Sequence, residues 1–242
     1  MLTTDLPTPK SALAIGAHPD DIEFGCGATL AKWASKGCEV HHLICTDGSK
    51  GSWDPSQDTA ELVALRRHEQ RRAAAALGAT GQCVFLNWTD GELEAGIRQR
   101  WEVAYWIRKL RPEVVLGHDP WKRWRLHPDH RNAGFLTVDA IVAARDPHFF
   151  SEQELEPHRP STLLLWEADE IDHVETSKAT LGLKIDALLE HRSQYRSTHN
   201  ILDPEDPLQI KQFADWVEHH QRLEGELVGA PSGEAFKRID GL

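Results

Sequence analysis

The sequence predicts an α/β fold, a single domain in which helices cover both faces of a mostly parallel sheet. Short apolar runs alternate with longer amphipathic runs from residue 12 to residue 166, as in chains that build parallel sheets. A length of 242 residues fits one domain, and neither an internal repeat nor a domain linker divides it. We expect residues 11–242 to form this domain and residues 1–10 to be a flexible tail.

The secondary-structure elements follow from local pattern. The predicted strands are short apolar runs, at residues 12–16, 40–45, 83–86, 114–117 and 163–166. The predicted helices are amphipathic or rich in helix-forming residues, at 27–35, 59–77, 97–110 and 129–144. Gly37 and Gly78 follow the first two helices, at the position where a left-handed residue commonly ends a helix. Two further helices, 178–191 and 207–226, come after the alternation ends.

The composition excludes several classes of protein. Asp and Glu number 38 against 27 Lys and Arg, which gives a net charge of −11. This charge argues against a general binder of nucleic acid or anionic membranes, because both need a positive field. The four cysteines form no Cys-x-x-Cys pair, which indicates free thiols in a reducing compartment. The N-terminus has no signal-peptide pattern, and no run reaches the roughly 18 apolar residues of a membrane span. We therefore expect a cytoplasmic protein with no nucleic-acid or membrane partner.

Two motifs place ionisable side chains after predicted strands. The segment "AHPDD" puts His18, Asp20 and Asp21 just after the first strand, whereas a helix N-cap would need only one carboxylate. The segment "LHPDH" puts His127 and His130 after the fourth strand. Open α/β sheets bind ligands at the carboxyl ends of their strands, so we expect the two motifs to converge on one rim.

Converging imidazoles and carboxylates are ligands that Zn²⁺ or a similar divalent ion takes in proteins. Three protein ligands would leave a position for water, and a further carboxylate nearby would accept a proton from that water. The residue types thus predict metal-assisted hydrolysis. They do not show which side chains bind the metal and which transfer protons. Long loops at 47–58, 146–160 and 198–207 are further candidates for function. The first two would line the site or contact a second subunit of the same chain. Assembly into a homo-oligomer therefore stays an alternative.

The chain resembles the LmbE/PIG-L family of N-acetylglucosaminyl deacetylases, which includes enzymes of mycothiol and bacillithiol biosynthesis and chitobiose deacetylases. The likeness rests on six segments in order between residues 13 and 236: "AHPDDIEFGCGATLAKW", "RRHEQRRAAAALGA", "TDGEL", "LHPDH", "KIDALLEHRSQ" and "GEAF". It implies a Rossmann-like, LmbE-like fold and a zinc-dependent N-deacetylase, with Fe²⁺ or another divalent ion as the alternative metal. The implied substrate is a small amino sugar of the N-acetylglucosamine type.

The resemblance also implies roles for individual residues. The metal ligands would be His18, Asp21 and His130. Asp20 would be the general base, and His127 would be the general acid or the electrostatic partner of the tetrahedral intermediate.

Five further residues are candidates for contact with the substrate or support of the site. Arg66 and Asp90 resemble positions that hold the sugar, and His191 resembles a site-supporting position. Arg125 stands where some relatives carry a tyrosine, in a locally basic segment that also contains Trp124. We hypothesise that Trp124 lies against a sugar face and that Arg125 meets a carboxylate or phosphate of the aglycone.

Three alternative functions stay open. The first is an amidase of the same family that cleaves a larger acyl group, such as that of a thiol conjugate or an antibiotic intermediate. The second is a catalytically silent sugar-binding module, although such a module would be expected to lose at least one of the motif residues. The third is a metallophosphoesterase, which usually needs more bridging carboxylates and histidines than this rim supplies.

Overall fold

The computed structural model describes residues 2–242, and within this range eight strands and six α-helices are present. The strands are β1 (Thr3–Thr4), β2 (Ser11–Gly16), β3 (Glu39–Thr46), β4 (Cys83–Trp88), β5 (Val114–His118), β6 (Thr162–Trp166), β7 (His173–Thr176) and β8 (Gly233–Asp240). The helices are α1 (Asp21–Ala34), α2 (Thr59–Ala76), α3 (Ile97–Leu110), α4 (Pro128–Arg145), α5 (Leu181–Leu189) and α6 (Pro207–Glu226).

All strands belong to one sheet with the order β1-β7-β8-β6-β5-β2-β3-β4. The five strands predicted from the sequence, β2 to β6, pair in parallel with one another. β8 pairs antiparallel with both β6 and β7, and β1 pairs in parallel with β7. The predicted α/β fold with a mostly parallel sheet is confirmed.

The central strands are buried on both faces because their alternating side chains enter two separate cores. Leu13 and Ile15 of β2 pack in one core with residues of α3 and α4. Ala12 and Ala14 of the same strand pack in the other core, with residues of α1, α2 and α5. Such a continuous apolar run is typical of a parallel strand that is covered by helices on both sides.

The first helix begins earlier than the predicted range 27–35. α1 starts at Asp21 and is kinked at Cys26, whose φ of −152° and ψ of 18° are not helical. The segment after the kink begins where the sequence suggested a helix start. Glu234 of β8 caps it, since its carboxylate accepts hydrogen bonds from the amides of Ala28 (3.0 Å) and Thr29 (2.7 Å). This contact joins the "GEAF" segment to the first helix.

Three strands were not predicted, and one of them lies in the expected tail. In this segment Thr3–Thr4 pairs with β7, and Lys32 of α1 binds Asp5 at 2.7 Å, whereas the flexibility expected of residues 1–10 stays a prediction. β7 and β8 alternate polar and apolar residues only weakly and follow no βα repeat, so pattern alone gave no strand there. Gly37 and Gly78 have φ of +88° and +77° just beyond α1 and α2, as expected of left-handed helix ends.

Candidate metal and catalytic site

The two histidine–aspartate motifs meet at the carboxyl edge of the sheet. β2 and β5 are neighbours in parallel register, with Ile15 opposite Gly117, so the chain leaves both strands at the same rim. His18 lies in the turn after β2, and His130 lies in the first turn of α4. Their rings are 5.2 Å apart although 112 residues separate them, as the sequence predicted.

The side chains of His18, Asp21 and His130 form a triangle in which the two Asp21 oxygens face different histidines. His18 Nδ1 lies 3.3 Å from His130 Nε2 and 3.4 Å from Asp21 Oδ2, and His130 Nε2 lies 3.2 Å from Asp21 Oδ1. Ligand atoms bound tetrahedrally to an ion at about 2.0–2.2 Å are separated by about 3.3–3.5 Å. The predicted ligands His18, Asp21 and His130 therefore bring two imidazole nitrogens and one carboxylate close together, a set that suits a divalent metal ion.

Other donor atoms nearby form overlapping groups. These groups, with donor atoms within 4.8 Å of one another, are His18, His127 and His130; Asp21, His118 and His130; and His18, Asp90 and Asp129. Hydrogen bonding separates ligands from supporting residues in these triads, because a nitrogen that carries a proton cannot bind a metal ion.

His18 is oriented by two carboxylates on the side away from the triangle. Its Nε2 lies 3.1 Å from Asp90 Oδ1 and 3.2 Å from Asp129 Oδ2. The Asp129 carboxylate is itself held by the amides of Gly91 (2.6 Å) and Leu93 (3.2 Å). A proton on Nε2 shared with these acceptors leaves Nδ1 with a lone pair, the arrangement typical of a metal-binding histidine.

His118, at the end of β5, is part of the site and was missed in the sequence. Its Nδ1 accepts hydrogen bonds from Trp166 Nε1 (3.0 Å) and from the Arg125 guanidinium (3.2 Å), so the ring proton is on Nε2. That Nε2 lies 3.2 Å from Asp21 Oδ2 and donates to it. This arrangement suits His118 to orient Asp21 rather than to bind a metal ion. The strand-end rule that selected His18 would also have selected His118.

The Asp21 carboxylate is held in its charged form. Burial alone would raise its pKa, but the imidazoles of His130 and His118 lower the pKa of Asp21 well below the usual range. A carboxylate that stays ionised is available as a ligand throughout the neutral pH range.

Asp20 is buried at the start of α1 in a backbone conformation that is rare outside glycine. Its φ is +104°, and its amide donates to Gln70 Oε1 at 3.0 Å. Burial raises the pKa of the Asp20 carboxyl to about 6, against the opposing charge of Arg66. Strained residues that are fixed by surrounding contacts are common at catalytic sites.

His127 caps α4 and faces solvent. Its Nδ1 accepts the amide of Asp129 at 3.3 Å, so that Nε2 carries the proton. The ring stacks on His130 and meets His18 edge-on, in each case with centroids 4.7 Å apart. Burial and the two neighbouring imidazoles lower the pKa of His127.

A cavity of about 600 Å³ joins these residues. Its wall includes five of the predicted residues of the two motifs, and His118: His18, Asp20, Asp21, His127, His130 and His118. Lys50 and Gly51 of the loop 47–58 and Thr198 of the third long loop also line it. No residue of the loop 146–160 lines the cavity; Arg108 of α3 instead donates to the carbonyls of Asp146 and Phe149 in this loop.

The five predicted substrate residues lie in different places. Asp90 lines the cavity beside His18, and Arg66 also borders it. The Arg66 guanidinium, however, donates to the carbonyls of Pro19 (2.7 Å) and Gly48 (2.9 Å), so it holds the two loops that flank Asp20. His191 is fully buried, and its Nε2 lies 3.3 Å from the Glu23 carboxylate, behind the cavity wall.

The hypothesis that Trp124 and Arg125 face the substrate is not what the geometry shows. Neither residue lines the cavity, and Trp124 is 85% exposed. The Arg125 side chain is buried and donates to Glu167 at 2.7 Å and to His118. The basic loop therefore turns its arginine inward, to the residue that orients Asp21.

Comparison with known proteins identifies the family of this chain. The family model described as PIG-L, GlcNAc-PI de-N-acetylase, matches residues 13–141, more than half of the chain. The chain belongs to the PIG-L family. The predicted family and the prediction of an N-deacetylase hydrolase are confirmed by this match.

Individual relatives are similar to this chain in sequence and in fold. Diacetylchitobiose deacetylase of Thermococcus kodakarensis is 34% identical over 189 residues, which cover 77% of this chain and 70% of that protein. A 1D-myo-inositol 2-acetamido-2-deoxy-alpha-D-glucopyranoside deacetylase of Thermomonospora curvata is 28% identical over 219 residues, 80% of this chain and 69% of that protein. The crystal structure of N,N'-diacetylchitobiose deacetylase from Pyrococcus horikoshii, in complex with an inhibitor, superposes with a TM-score of 0.86 at 30% identity, over 96% of this chain and 85% of that one.

Between residues 2 and 242, none of the helices combines the length and the apolar character needed to span a membrane.

Proposed function

We propose that this protein is a metal-dependent N-deacetylase that removes the acetyl group from an N-acetylglucosamine-type substrate. The observation that carries the proposal is the triangle of His18, Asp21 and His130, with Asp20 and His127 in the wall of the same cavity. Residues of this type at this spacing fit hydrolysis of an amide, and named relatives in the family act on N-acetylated sugars.

The three residues of the triangle would hold the ion, and two imidazole nitrogens with one carboxylate oxygen are a ligand set that Zn²⁺ accepts. Fe²⁺ also accepts this ligand set. When bound, such an ion supplies Lewis acidity toward the amide carbonyl and makes a coordinated water more acidic. Asp90, Asp129 and His118 keep the ligand side chains in the orientation and protonation state that binding requires.

Asp20 and His127 would move the protons. Asp20 lies next to the ligand Asp21 in the cavity wall and accepts the proton that the attacking water loses. His127 presents a proton at Nε2 and donates it to the departing amine, or hydrogen-bonds the oxyanion as it develops. Water and the amide are thereby converted to acetate and a free amine. Arg66 and Gln70 fix Asp20 through contacts to Pro19 and to its own amide.

An amine-release assay on N-acetylglucosamine derivatives tests this proposal. With zinc-loaded protein, we expect Asp20→Asn to retain the metal and to lose about 100-fold or more in kcat. Asp186→Asn, which changes an exposed aspartate of α5, is the matched control and should keep wild-type turnover. Equal turnover of wild type and Asp20→Asn would refute the mechanism. Faster release from longer N-acyl chains than from N-acetyl would favour the amidase, and no release by wild type would favour a binding module.

A cytoplasmic location and assembly into a homo-oligomer stay predictions.

A further inference from the structure

A buried chain of polar side chains lies behind Asp20. It consists of Gln70 of α2, Glu23 of α1 and His191, which follows α5, and each of these three residues is 0% exposed. None of the three lines the cavity, whereas Asp20 does. They are therefore placed to act on Asp20 and not on a bound substrate.

Gln70 connects Asp20 to Glu23 through the two ends of its side-chain amide. Its Oε1 accepts the backbone amide of Asp20 at 3.0 Å, and its Nε2 donates to Glu23 Oε1 at 2.6 Å. Because an ionised carboxylate can only accept hydrogen bonds, Glu23 requires the NH2 group of Gln70 to face it. The carbonyl of Gln70 then faces Asp20, where it meets a donor. Glu23 thus determines which end of Gln70 is presented to Asp20.

The charge of Glu23 is balanced within the protein. Its Oε2 lies 3.3 Å from His191 Nε2, and its Oε1 lies 3.7 Å from His42 Nε2. Burial alone would lower the pKa of His191, but the Glu23 carboxylate raises this pKa above its usual value. Because an unpaired buried charge would be costly, the His191 imidazole keeps Glu23 available as a charged acceptor for Gln70.

Asp20 depends on such contacts because its backbone is strained. With φ at +104° and ψ at −27°, it has a conformation that residues other than glycine rarely adopt. Its carbonyl accepts the amide of Phe24 at 3.1 Å within the first turn of α1, whereas its own amide donates to Gln70 of a different helix. Strained conformations persist only where surrounding contacts fix them. Loss of the Gln70 contact would therefore let the Asp20 backbone relax and would redirect its carboxylate.

We propose that Glu23 is a positioning residue for the base of the reaction: through Gln70, and with His191 as its counterion, it holds the Asp20 backbone and so directs the Asp20 carboxylate. This inference rests on the proposed deacetylation, in which Asp20 accepts the proton of the attacking water. It assigns a role to Glu23, the third acidic residue of the segment "AHPDDIE", and it names the partner through which His191 supports the site.

Exchange of the residues at positions 23 and 70 tests this role. Gln70→Glu alone places two carboxylates at a contact that now measures 2.6 Å, so they repel each other and the connection to Asp20 breaks. The double variant Glu23→Gln/Gln70→Glu moves the amide to position 23. Its NH2 group donates to the carboxylate at position 70, which still accepts the Asp20 amide, and its oxygen faces His191. All contacts of the chain are thereby restored without a change in net charge.

The first measurement is amine release from N-acetylglucosamine derivatives by zinc-loaded protein. We expect Gln70→Glu to lower kcat about 10- to 100-fold and to change KM less than about twofold, because a small displacement of a catalytic group costs turnover and not binding. Glu23→Gln should lose about five- to tenfold in kcat, and the double variant should return to within about threefold of wild type. Gln212→Glu, on an exposed position of α6, adds the same charge and is the matched control.

The second measurement is hydrogen exchange of the Asp20 amide, followed by NMR, which needs no turnover. In wild type the hydrogen bond to Gln70 protects this buried amide. We expect exchange to be at least about tenfold faster in Gln70→Glu and close to wild type in the double variant. Zinc affinity, measured by competition with a chelator, should stay within about threefold of wild type, because the ligand side chains keep their own partners.

Three results would overturn the role of Glu23 while deacetylation stands: a double variant no more active than the weaker single variant, a loss of zinc affinity that accounts for the loss of kcat, or unchanged exchange of the Asp20 amide in Gln70→Glu. If Gln70→Glu does not fold, comparison of Glu23→Gln with the double variant decides in the same way. Failure of the proposed chemistry is detected separately, by wild-type turnover in Asp20→Asn. The exchange data would then still show whether Glu23 and Gln70 hold Asp20.

Discussion

The buried pair of Glu234 and Lys184 gives a quantitative test of how the C-terminal strand supports the first helix. The Glu234 side chain is inaccessible to solvent and accepts three hydrogen bonds, from two amides of α1 and from Lys184 Nζ. In Glu234→Ala, the helix segment after Cys26 loses its cap and Lys184 keeps a buried charge without a counterion.

The expected cost follows from these two losses. Removal of one partner of a buried ion pair costs about 3–5 kcal/mol, and loss of an N-cap costs about 1 kcal/mol. The two losses share one carboxylate and are not fully additive, so we expect Glu234→Ala to lower the free energy of unfolding by about 4 kcal/mol. The double variant Glu234→Ala/Lys184→Met removes the unpaired charge and should recover about 3 kcal/mol of that loss.

Urea unfolding followed by circular dichroism measures these differences. Glu226→Ala, which removes an exposed carboxylate that pairs with Arg222 on α6, is the control and should leave the midpoint nearly unchanged. A loss of less than about 1 kcal/mol in Glu234→Ala, or a double variant no more stable than the single one, would refute this account of the pair.

Three further predictions concern the site and its surroundings. His118→Phe should weaken zinc affinity about 10- to 100-fold in competition with a chelator, because Asp21 loses its hydrogen-bond donor; unchanged affinity would exclude this role. Arg125→Ala should leave the ratio of KM values for anionic and neutral N-acetylglucosaminides unchanged. A rise in KM for the anionic compounds alone would instead support the contact between Arg125 and an anionic aglycone that the sequence suggested. Burial, reinforced by His191, lowers the pKa of His199 to about 3, so the folded protein keeps this imidazole neutral while the unfolded chain binds a proton below about pH 6.5. The free energy of unfolding should therefore fall by about 2 kcal/mol from pH 6.5 to pH 5 through this residue, and urea unfolding of His199→Phe should lack that part of the slope.

The parallel half of the fold could be predicted because its strands are buried on both faces. Ile15 and its neighbours in β2 are apolar without interruption, and turn residues separate them from the helices. β7 and β8 lack this signal, since their pairing depends on an antiparallel return of the chain after α6. The early start of α1 at Asp21 was equally invisible, because the Asp20 side chain makes no capping hydrogen bond and the helix is interrupted at Cys26.

The centre of the site could be predicted because the two histidine–aspartate motifs follow neighbouring parallel strands. The strand ends bring the motifs together, and this does not depend on side-chain conformation. The convergence of His18 and His130 follows from the parallel register of β2 and β5 alone. The directions of long side chains do not follow from sequence in this way. Arg66 and Arg125 both turn to groups inside the protein, and neither contact is local enough to be read from spacing.

The most direct test of the central claim is amine release from N,N′-diacetylchitobiose by wild-type protein stripped of metal with a chelator, before and after one equivalent of zinc is restored. We expect negligible turnover before the addition and recovery of activity after it. Full turnover by the metal-free protein would contradict the proposal that His18, Asp21 and His130 act by holding a metal ion.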